Sequence, residues 1–186
     1  MKKRRFKKDD WLRHGLTQLS EKGPEAVKLE AICASAGLTR GSFYHHFEDH
    51  DSYLHAVARM WLEEQTHAVA REMEADSSAD AQSEALTEAA MGIDYRLELG
   101  IRELARRLPP VAKIVTQADQ LRLGILSDLY ARRFGLEPAR AEALAFLEYA
   151  AFSGLILLEP DMPRARQMAL AELYDTTIAT ALGKGD

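Results

Sequence analysis

The sequence predicts an all-α protein in two parts, a three-helix head and a longer helical body. Three observations carry that reading. Apolar residues recur at helical spacing along nearly the whole chain. No run of β-branched residues alternates with period two. Glycine and proline fall between the periodic segments, where they punctuate helices.

Leu12, Leu16 and Leu19 define the first helix, which Gly23-Pro24 breaks. Leu29, Ile32, Cys33 and Ala36 share one face of a second, with Gly37 stopping it. Thr39 is placed to cap a third that turns Phe43 and Phe47 inward. Asp51 or Ser52 caps a fourth, with Leu54, Val57 and Trp61 on one face, expected to reach about Glu74. Asp76–Ser83 reads as a loop joining two domains. Four longer helices are expected beyond it. One covers about Glu84–Leu108 and is ended by Pro109-Pro110. The others run from Val111 to Gly135, from Pro138 to Leu158 and from Pro163 to Leu182.

Composition narrows the class. Hydrophobic residues make up 47% and charged residues 28% of 186, a globular balance that excludes wholesale disorder. A single cysteine permits no internal disulfide and favours a reducing compartment. The longest uncharged apolar stretch, Tyr149–Leu158, is half of the ~20 residues a membrane span needs. No apolar secretory segment follows the basic N-terminus, so the expected address is the cytoplasm. The net charge of −5 conceals an asymmetry: residues 1–60 carry 11 Lys/Arg against 8 Asp/Glu, and the remainder is strongly acidic. That pattern suits a polyanion-binding end on an acidic body. Lys2, Lys3, Arg4, Arg5, Lys7 and Lys8 crowd the extreme N-terminus, either as a solvated tail or as a binding arm.

The second and third helices are short and only Gly37-Leu38-Thr39 joins them, the outline of a helix-turn-helix. Phe43 and Phe47 anchor the buried side of the third helix. Arg40, Ser42, Tyr44, His45 and His46 leave its other side polar and partly aromatic. Arg40 has the reach to a guanine edge, and Gly41 permits close approach of the backbone to a duplex.

These residues resemble the TetR (tetracycline repressor-like) family of transcriptional regulators. Gly37–Phe47 (GLTRGSFYHHF), the preceding Leu29–Ala36 and the later Leu54 carry the resemblance, which is close over residues 9–60. It implies a disposition of 1–8 as a basic arm, 9–52 as a helix-turn-helix DNA-binding domain and 53–186 as a helical effector-binding and dimerisation domain. Thr39, Arg40, Gly41, Ser42 and His45 would face the major groove of double-stranded DNA. Tyr44 would bond a phosphate, as would Lys28 at the start of the second helix. His46 stays open between packing near Phe47 and DNA contact. Glu48-Asp49-His50-Asp51 stands where the family usually has Lys or Arg, with His50 as the candidate phosphate contact. The basic arm would add nonspecific phosphate or minor-groove contacts.

The resemblance further implies a homodimer, formed through the last two long helices, that reads a pseudo-palindrome and is released by a small-molecule effector. The apolar helix Pro138–Leu158, with small residues at Ala143, Ala150, Ala151 and Gly154, fits either an intersubunit four-helix bundle or an ordinary core. His67, Tyr95, Arg96, Gln117, Asp119, Arg122 and Tyr149 are the candidate effector-lining residues. Asp119 and Arg122, three apart, equally suit a surface ion pair, and Arg102, Arg106 and Arg107 a solvated face.

Four of six histidines lie between positions 45 and 55, but they lack a closed ligand set, and Cys33 lies on an apolar face, so no metal site is expected. No catalytic or cofactor motif is recognised, so neither an enzyme nor a cofactor is expected. Two rival readings are a nonspecific architectural DNA binder and an all-α interaction module or enzyme that only borrows the fold.

Overall fold

The computed structural model describes residues 6–73 and 78–183. Among these residues every regular element is helical. Contacts divide the chain into two compact units, Met1–Gln65 with Asp94–Ala118, and Thr66–Ile93 with Asp119–Asp186.

In the first unit, α1 (Lys8–Lys22) ends at Gly23, whose positive φ of 75° lets its N–H bond the Leu19 carbonyl. A single 3₁₀ turn, Pro24–Val27, leads to α2 (Leu29–Ala36). Gly37 closes α2 in the left-handed conformation, and the N–H of Leu38 reaches back to the Cys33 carbonyl at 3.0 Å. The third helix, α3 (Arg40–Tyr44), is capped by Thr39, whose hydroxyl accepts the Ser42 N–H.

The start of α4 (His50–Leu62) differs from expectation. Its cap is Asp49, not Asp51 or Ser52: the Asp49 carboxylate accepts the Ser52 N–H at 2.7 Å, while the Ser52 hydroxyl takes the Asp49 N–H. This reciprocal pair satisfies two otherwise orphaned donors and starts the helix two to three residues earlier than expected. Helical backbone continues from α4 through a π-helical stretch, Glu63–His67, into α5 (Ala68–Met73). The expected endpoint Glu74 lies outside the described residues, as do Asp76 and Ser77.

Most of the expected loop Asp76–Ser83 is helix instead. Ser78 caps α6 (Ala79–Met91) by accepting the Ala81 N–H. The single helix expected over Glu84–Leu108 is two. After Gly92 the chain restarts as α7 (Tyr95–Ala105), because the Asp94 carboxylate accepts the Leu97 N–H at 3.0 Å. Pro109-Pro110 opens α8 (Pro109–Phe134), since a first helical turn needs no proline N–H. The last helices, α9 (Pro138–Leu158) and α10 (Arg164–Ala181), lie close to their expected bounds.

The core of the first unit gathers Trp11, Leu19, Ile32, Phe43, Tyr53, Trp61 and Ile101, each almost fully buried. Two glycines set its close approaches. A Cβ at Gly15 would lie 2.3 Å from the Tyr53 hydroxyl, which donates to the Trp11 carbonyl. A Cβ at Gly100 on α7 would lie 3.3 Å from Leu19 on α1. This packing groups α7 with the head helices, so the compact units cut the chain differently from the 9–52 and 53–186 division. Arg102, expected on a solvated face, instead turns onto the buried Glu98, with its Nε donating at 3.0 Å.

The second unit packs Leu126, Tyr130, Ala141 and Ala145 with Leu86, Phe134, Leu144 and Ile178. Arg133 joins three helices of this unit: it donates to Asp80 on α6 and to both carboxylate oxygens of Asp175 on α10. Burial pushes the Glu148 carboxyl above the usual carboxylate range, against the opposing effect of the Tyr130 hydroxyl that donates to it at 2.7 Å. By length and composition α9 is able to cross a membrane, which the ten-residue stretch read from the sequence was not. It also leaves a long apolar stripe uncovered: Phe146, Leu147, Leu157 and Leu158 are 60 to 78% exposed, and Leu173 on α10 is 64% exposed.

Gly15→Ala is expected to destabilise the protein by ~1–3 kcal/mol through overpacking. Adding Tyr53→Phe should recover part of that loss, measured as non-additivity in a denaturant double-mutant cycle. Glu148 has a raised folded-state pKa, so its contribution is full below the ordinary carboxylate range and is lost as pH rises through the raised value. Glu148→Gln should therefore raise the thermal midpoint near neutral pH, with the gain shrinking toward acid pH.

Candidate nucleic-acid interface

The interface is built on an aromatic cluster. Phe43 has no exposed surface, and its ring centroid lies 5.4 Å from Trp11, 5.1 Å from Phe47 and 5.1 Å from Tyr53. The Trp11 and Tyr53 pairs are edge-to-face, which adds directional attraction to burial, while Phe47 is tilted against Phe43. With Phe43 fixed, the five-residue α3 has one face inside and the other outside.

The outer face carries the expected residues. Thr39, Arg40, Gly41, Tyr44 and His45 are exposed, and Ser42 is half-buried. Tyr44 stands on edge against Phe43, with half of its surface open. His45 and His46 rings are 5.0 Å apart. Thr39 divides its function between capping α3 and facing outward, since its hydroxyl already accepts a backbone N–H.

The cations of this face are paired with acids that the sequence reading left out. The Arg40 guanidinium donates to Glu30, at the first turn of α2. The Lys28 ammonium pairs with Glu25, and Arg107 lies 3.9 Å from the same carboxylate. The hydrogen bond from Lys28 is the main cause holding the Glu25 carboxyl below its ordinary value. All of these pairs are exposed, so each is worth little and exchanges readily with water or phosphate. Helical spacing alone offered no signal for the Arg40–Glu30 pair, because its partners lie on different helices.

His50 has a structural partner. Its Nε2 donates to the Val27 carbonyl at 2.8 Å, tying the start of α4 to the 3₁₀ turn before α2. In that bond the neutral ring has its other nitrogen as acceptor, and only the protonated ring has a second donor for a phosphate. His46, left open by the sequence, donates through Nε2 to the Phe6 carbonyl at 3.2 Å. Residues 2–5 of the basic arm lie outside the described residues.

Of the seven candidate effector-lining residues, the second unit brings three together. The Tyr149 hydroxyl donates to Asp119 at 2.6 Å, and Arg122 donates to that hydroxyl at 3.4 Å. Arg122 also donates through Nε to the buried Thr66 hydroxyl at 3.1 Å. Tyr149 thus has both Asp119 and Arg122 as hydrogen-bond partners. Thr66 was missed because it belongs to the π-helical stretch, where helical periodicity fails. His67 is half-buried in the same stretch. Tyr95, Arg96 and Gln117 belong to the first unit, Tyr95 buried and the other two exposed. Cys33 lies in the core, where burial raises its thiol pKa. Among the described residues no three His, Cys, Asp or Glu side chains gather as a metal would require.

Residues 12–57 match the profile of bacterial regulatory proteins, tetR family. That match spans the head alone, about a quarter of the chain. The likeness over this head is to a family of regulatory proteins, and it supports a DNA-binding role in transcription. No curated protein sequence matches the chain. Solved structures match nearly its whole length. A transcriptional regulator from Rhodococcus sp. Rha1 gives a TM-score of 0.79 at 18% identity, with 94% of this chain and 96% of that one covered. A regulator from Saccharomonospora viridis in complex with choline gives 0.77 at 13%, with 90% and 94% covered. The ketosteroid transcriptional regulator KstR2 of Mycobacterium tuberculosis gives 0.69 at 18%, with 98% and 95% covered. At these identities the likeness is one of fold.

Arg40→Ala in this tetR-family head is expected to lose ~1–3 kcal/mol of discrimination at one base pair. Tyr44→Phe should weaken all duplexes alike, both effects being read by competition binding against single-substitution duplexes.

Proposed function

We propose that the protein is a cytoplasmic transcriptional repressor that binds a pseudo-palindromic operator as a homodimer and leaves it when a small molecule binds the helical body. The observation that carries the DNA half is the outward face of α3, with Arg40, Tyr44 and His45 exposed on a fully buried Phe43. Thr39, Gly41 and Ser42 line the groove beside them. Lys28 contributes a phosphate contact by exchanging Glu25 for DNA, and His50 contributes one in its protonated form.

The exposed apolar stripe of α9 and Leu173 of α10 support dimerisation. Exposed hydrophobic surface of this size marks an interaction site. A second copy is its proposed occupant, because a two-fold interface buries one self-complementary patch on both subunits. Two heads about one DNA turn (~34 Å) apart would then read the two half-sites.

The Asp119–Tyr149–Arg122–Thr66 chain supports an effector site in the second unit. It supplies both charge signs and an aromatic ring, which suits a polar ligand. The choline of the Saccharomonospora viridis regulator is a precedent for a small charged ligand on this fold. His67 is a further lining candidate beside Thr66, whereas Tyr95, Arg96 and Gln117 have weaker support. Ligand release works as a population shift: moving the equilibrium from 1:99 to 99:1 takes ~5.5 kcal/mol of differential binding.

Footprinting on the DNA flanking the protein's own gene tests the reading. A protected inverted repeat is expected, with affinity falling linearly in the logarithm of salt concentration. Equal affinity for that site and for random duplex would favour an architectural binder instead. Leu147→Glu should convert the dimer to a monomer in analytical ultracentrifugation and abolish footprinting at low protein concentration.

A further inference from the structure

The sequence places Arg107 on a solvated face, far along the chain from the helix-turn-helix. The fold brings it back to the turn before α2. Its Nη1 lies 3.9 Å from Oε1 of Glu25, while the Lys28 ammonium pairs with Oε2 of the same carboxylate. One carboxylate thus has a cation at each oxygen. The Lys28 hydrogen bond and, to a lesser degree, the Arg107 charge hold the Glu25 carboxyl below its ordinary value. Glu103, one turn earlier, accepts from Nη2 of Arg107 at 3.1 Å, so the Nη1 edge is the one turned to Glu25. The backbone at 107 is fixed by its neighbours. Leu104 and Val111, on either side, are buried in the core of the first unit. The Arg107 N–H donates to the Leu104 carbonyl at 3.0 Å, and Pro109-Pro110 opens α8 directly after. Further up, α7 lies against α1 at Gly100, where a side chain would meet Leu19. The guanidinium itself stays open to an anion, with 63% of the side chain exposed.

We propose that Arg107 is a DNA-backbone contact outside the helix-turn-helix: together with Lys28 it receives a duplex phosphate in the place taken by the Glu25 carboxylate. This rests on the reading of the head as a DNA-binding unit and adds to it a residue from the junction of α7 and α8. A phosphate resembles a carboxylate in charge and in offering two oxygens to paired donors, and a guanidinium binds either one in a fork. The displaced Glu25 carboxylate is two-thirds exposed, so its rehydration costs little. The exchange is favoured because duplex phosphates carry condensed counterions that bound cations release, which a lone surface carboxylate does not. A contact of this kind fixes register and carries no sequence information.

The test uses the full chain and its Arg107→Gln, Arg107→Lys, Tyr44→Phe, Glu25→Gln and combined Glu25→Gln/Arg107→Gln variants. Arg140→Gln removes the same charge from an exposed site on α9, in the other unit. Each is titrated by fluorescence anisotropy at several salt concentrations against two duplexes, the DNA flanking the protein's own gene and an arbitrary sequence. Arg107→Gln should weaken both duplexes alike, about two- to fivefold, and lower the salt slope by about 0.9, the value of one phosphate contact. Arg107→Lys should restore the slope, because a phosphate also accepts a point charge. Arg140→Gln should move neither readout. Glu25→Gln should strengthen binding, and by less in the Arg107→Gln background. A loss confined to one duplex, a loss matched by Arg140→Gln, or an unchanged salt slope overturns the contact. Equal gains from Glu25→Gln in both backgrounds overturn the shared site. If Tyr44→Phe weakens binding and Arg107→Gln does not, the head still binds DNA and only the Arg107 contact falls. A full chain that binds neither duplex removes the DNA reading and this contact with it. Thermal unfolding of each variant separates these effects from a general loss of stability.

Discussion

The head depends on the burial of one ring. A five-residue helix such as α3 has no stability of its own, because a first helical turn fixes several residues for a single hydrogen bond. Phe43 replaces what propagation cannot supply. Its contacts with Trp11, Phe47 and Tyr53 join α1, α3, the connection to α4 and α4 itself around one point. The absence of a Cβ at Gly15 completes the arrangement, since Tyr53 needs that space to reach the Trp11 carbonyl. Orientation of the polar face is thus a consequence of core packing, not of any contact on that face.

The face itself is electrostatically held in reserve. Arg40 and Lys28 are each matched by a glutamate within the head, so neither stands as a bare cation on this face. Exposed pairs of this kind are weak, and a phosphate or guanine edge competes with the carboxylate on nearly equal terms. Under the proposed DNA-binding reading, the paired cations would contribute direction, while net attraction would come from the excess of lysine and arginine over residues 1–60. This division resembles the general one between contacts that position a protein and contacts that read sequence. It also explains why counting charges marked residues 1–60 as the basic end but did not reveal the acids paired with its cations.

Much of the head was legible because its determinants are local. Gly23, Gly37 and Thr39 act within a few residues of themselves, and the spacing of Phe43 and Phe47 gives the inner face directly. The errors arose where a signal depended on competing partners. Asp49, Asp51 and Ser52 all are good cap residues, and only the reciprocal bonds between Asp49 and Ser52 select the first. Pro109-Pro110 reads equally as the end of one helix or the start of the next. Glycine with aspartate at 92–94 was outvoted by continuing apolar periodicity, yet the Asp94 cap was enough to split the helix. The Arg102–Glu98 pair, at i,i+4 spacing, was hidden by reading the arginines as one solvated group, whereas the Arg122–Thr66 pair, 56 positions apart, left no trace in spacing at all. Of the candidate effector residues, Asp119, Arg122 and Tyr149 converge, and the logic that chose them, polar groups on otherwise apolar helices, was equally satisfied by exposed residues such as Gln117.

The apolar character of α9 has two physical explanations, and its own polar residues decide between them. A bilayer surrounds a spanning helix and demands that polar groups find partners within protein. Here Glu148 and Tyr149 sit in the middle of α9 and are partnered on the inner side by Tyr130, Asp119 and Arg122. The inner side is further packed through Ala141, Ala145 and Ile156. The exposed side carries Phe146, Leu147, Leu157 and Leu158, with Ala143 and Ala150 open between them. One polar-partnered face and one apolar face with small residues interspersed is the pattern of a helix completing a bundle, where small residues allow a neighbouring helix to approach. Leu173 extends the apolar surface onto α10, so the uncovered area is wider than a single helix stripe. A second copy of the same two helices, the occupant proposed above, would supply a cover of matching width and polarity, which a lone partner helix would not.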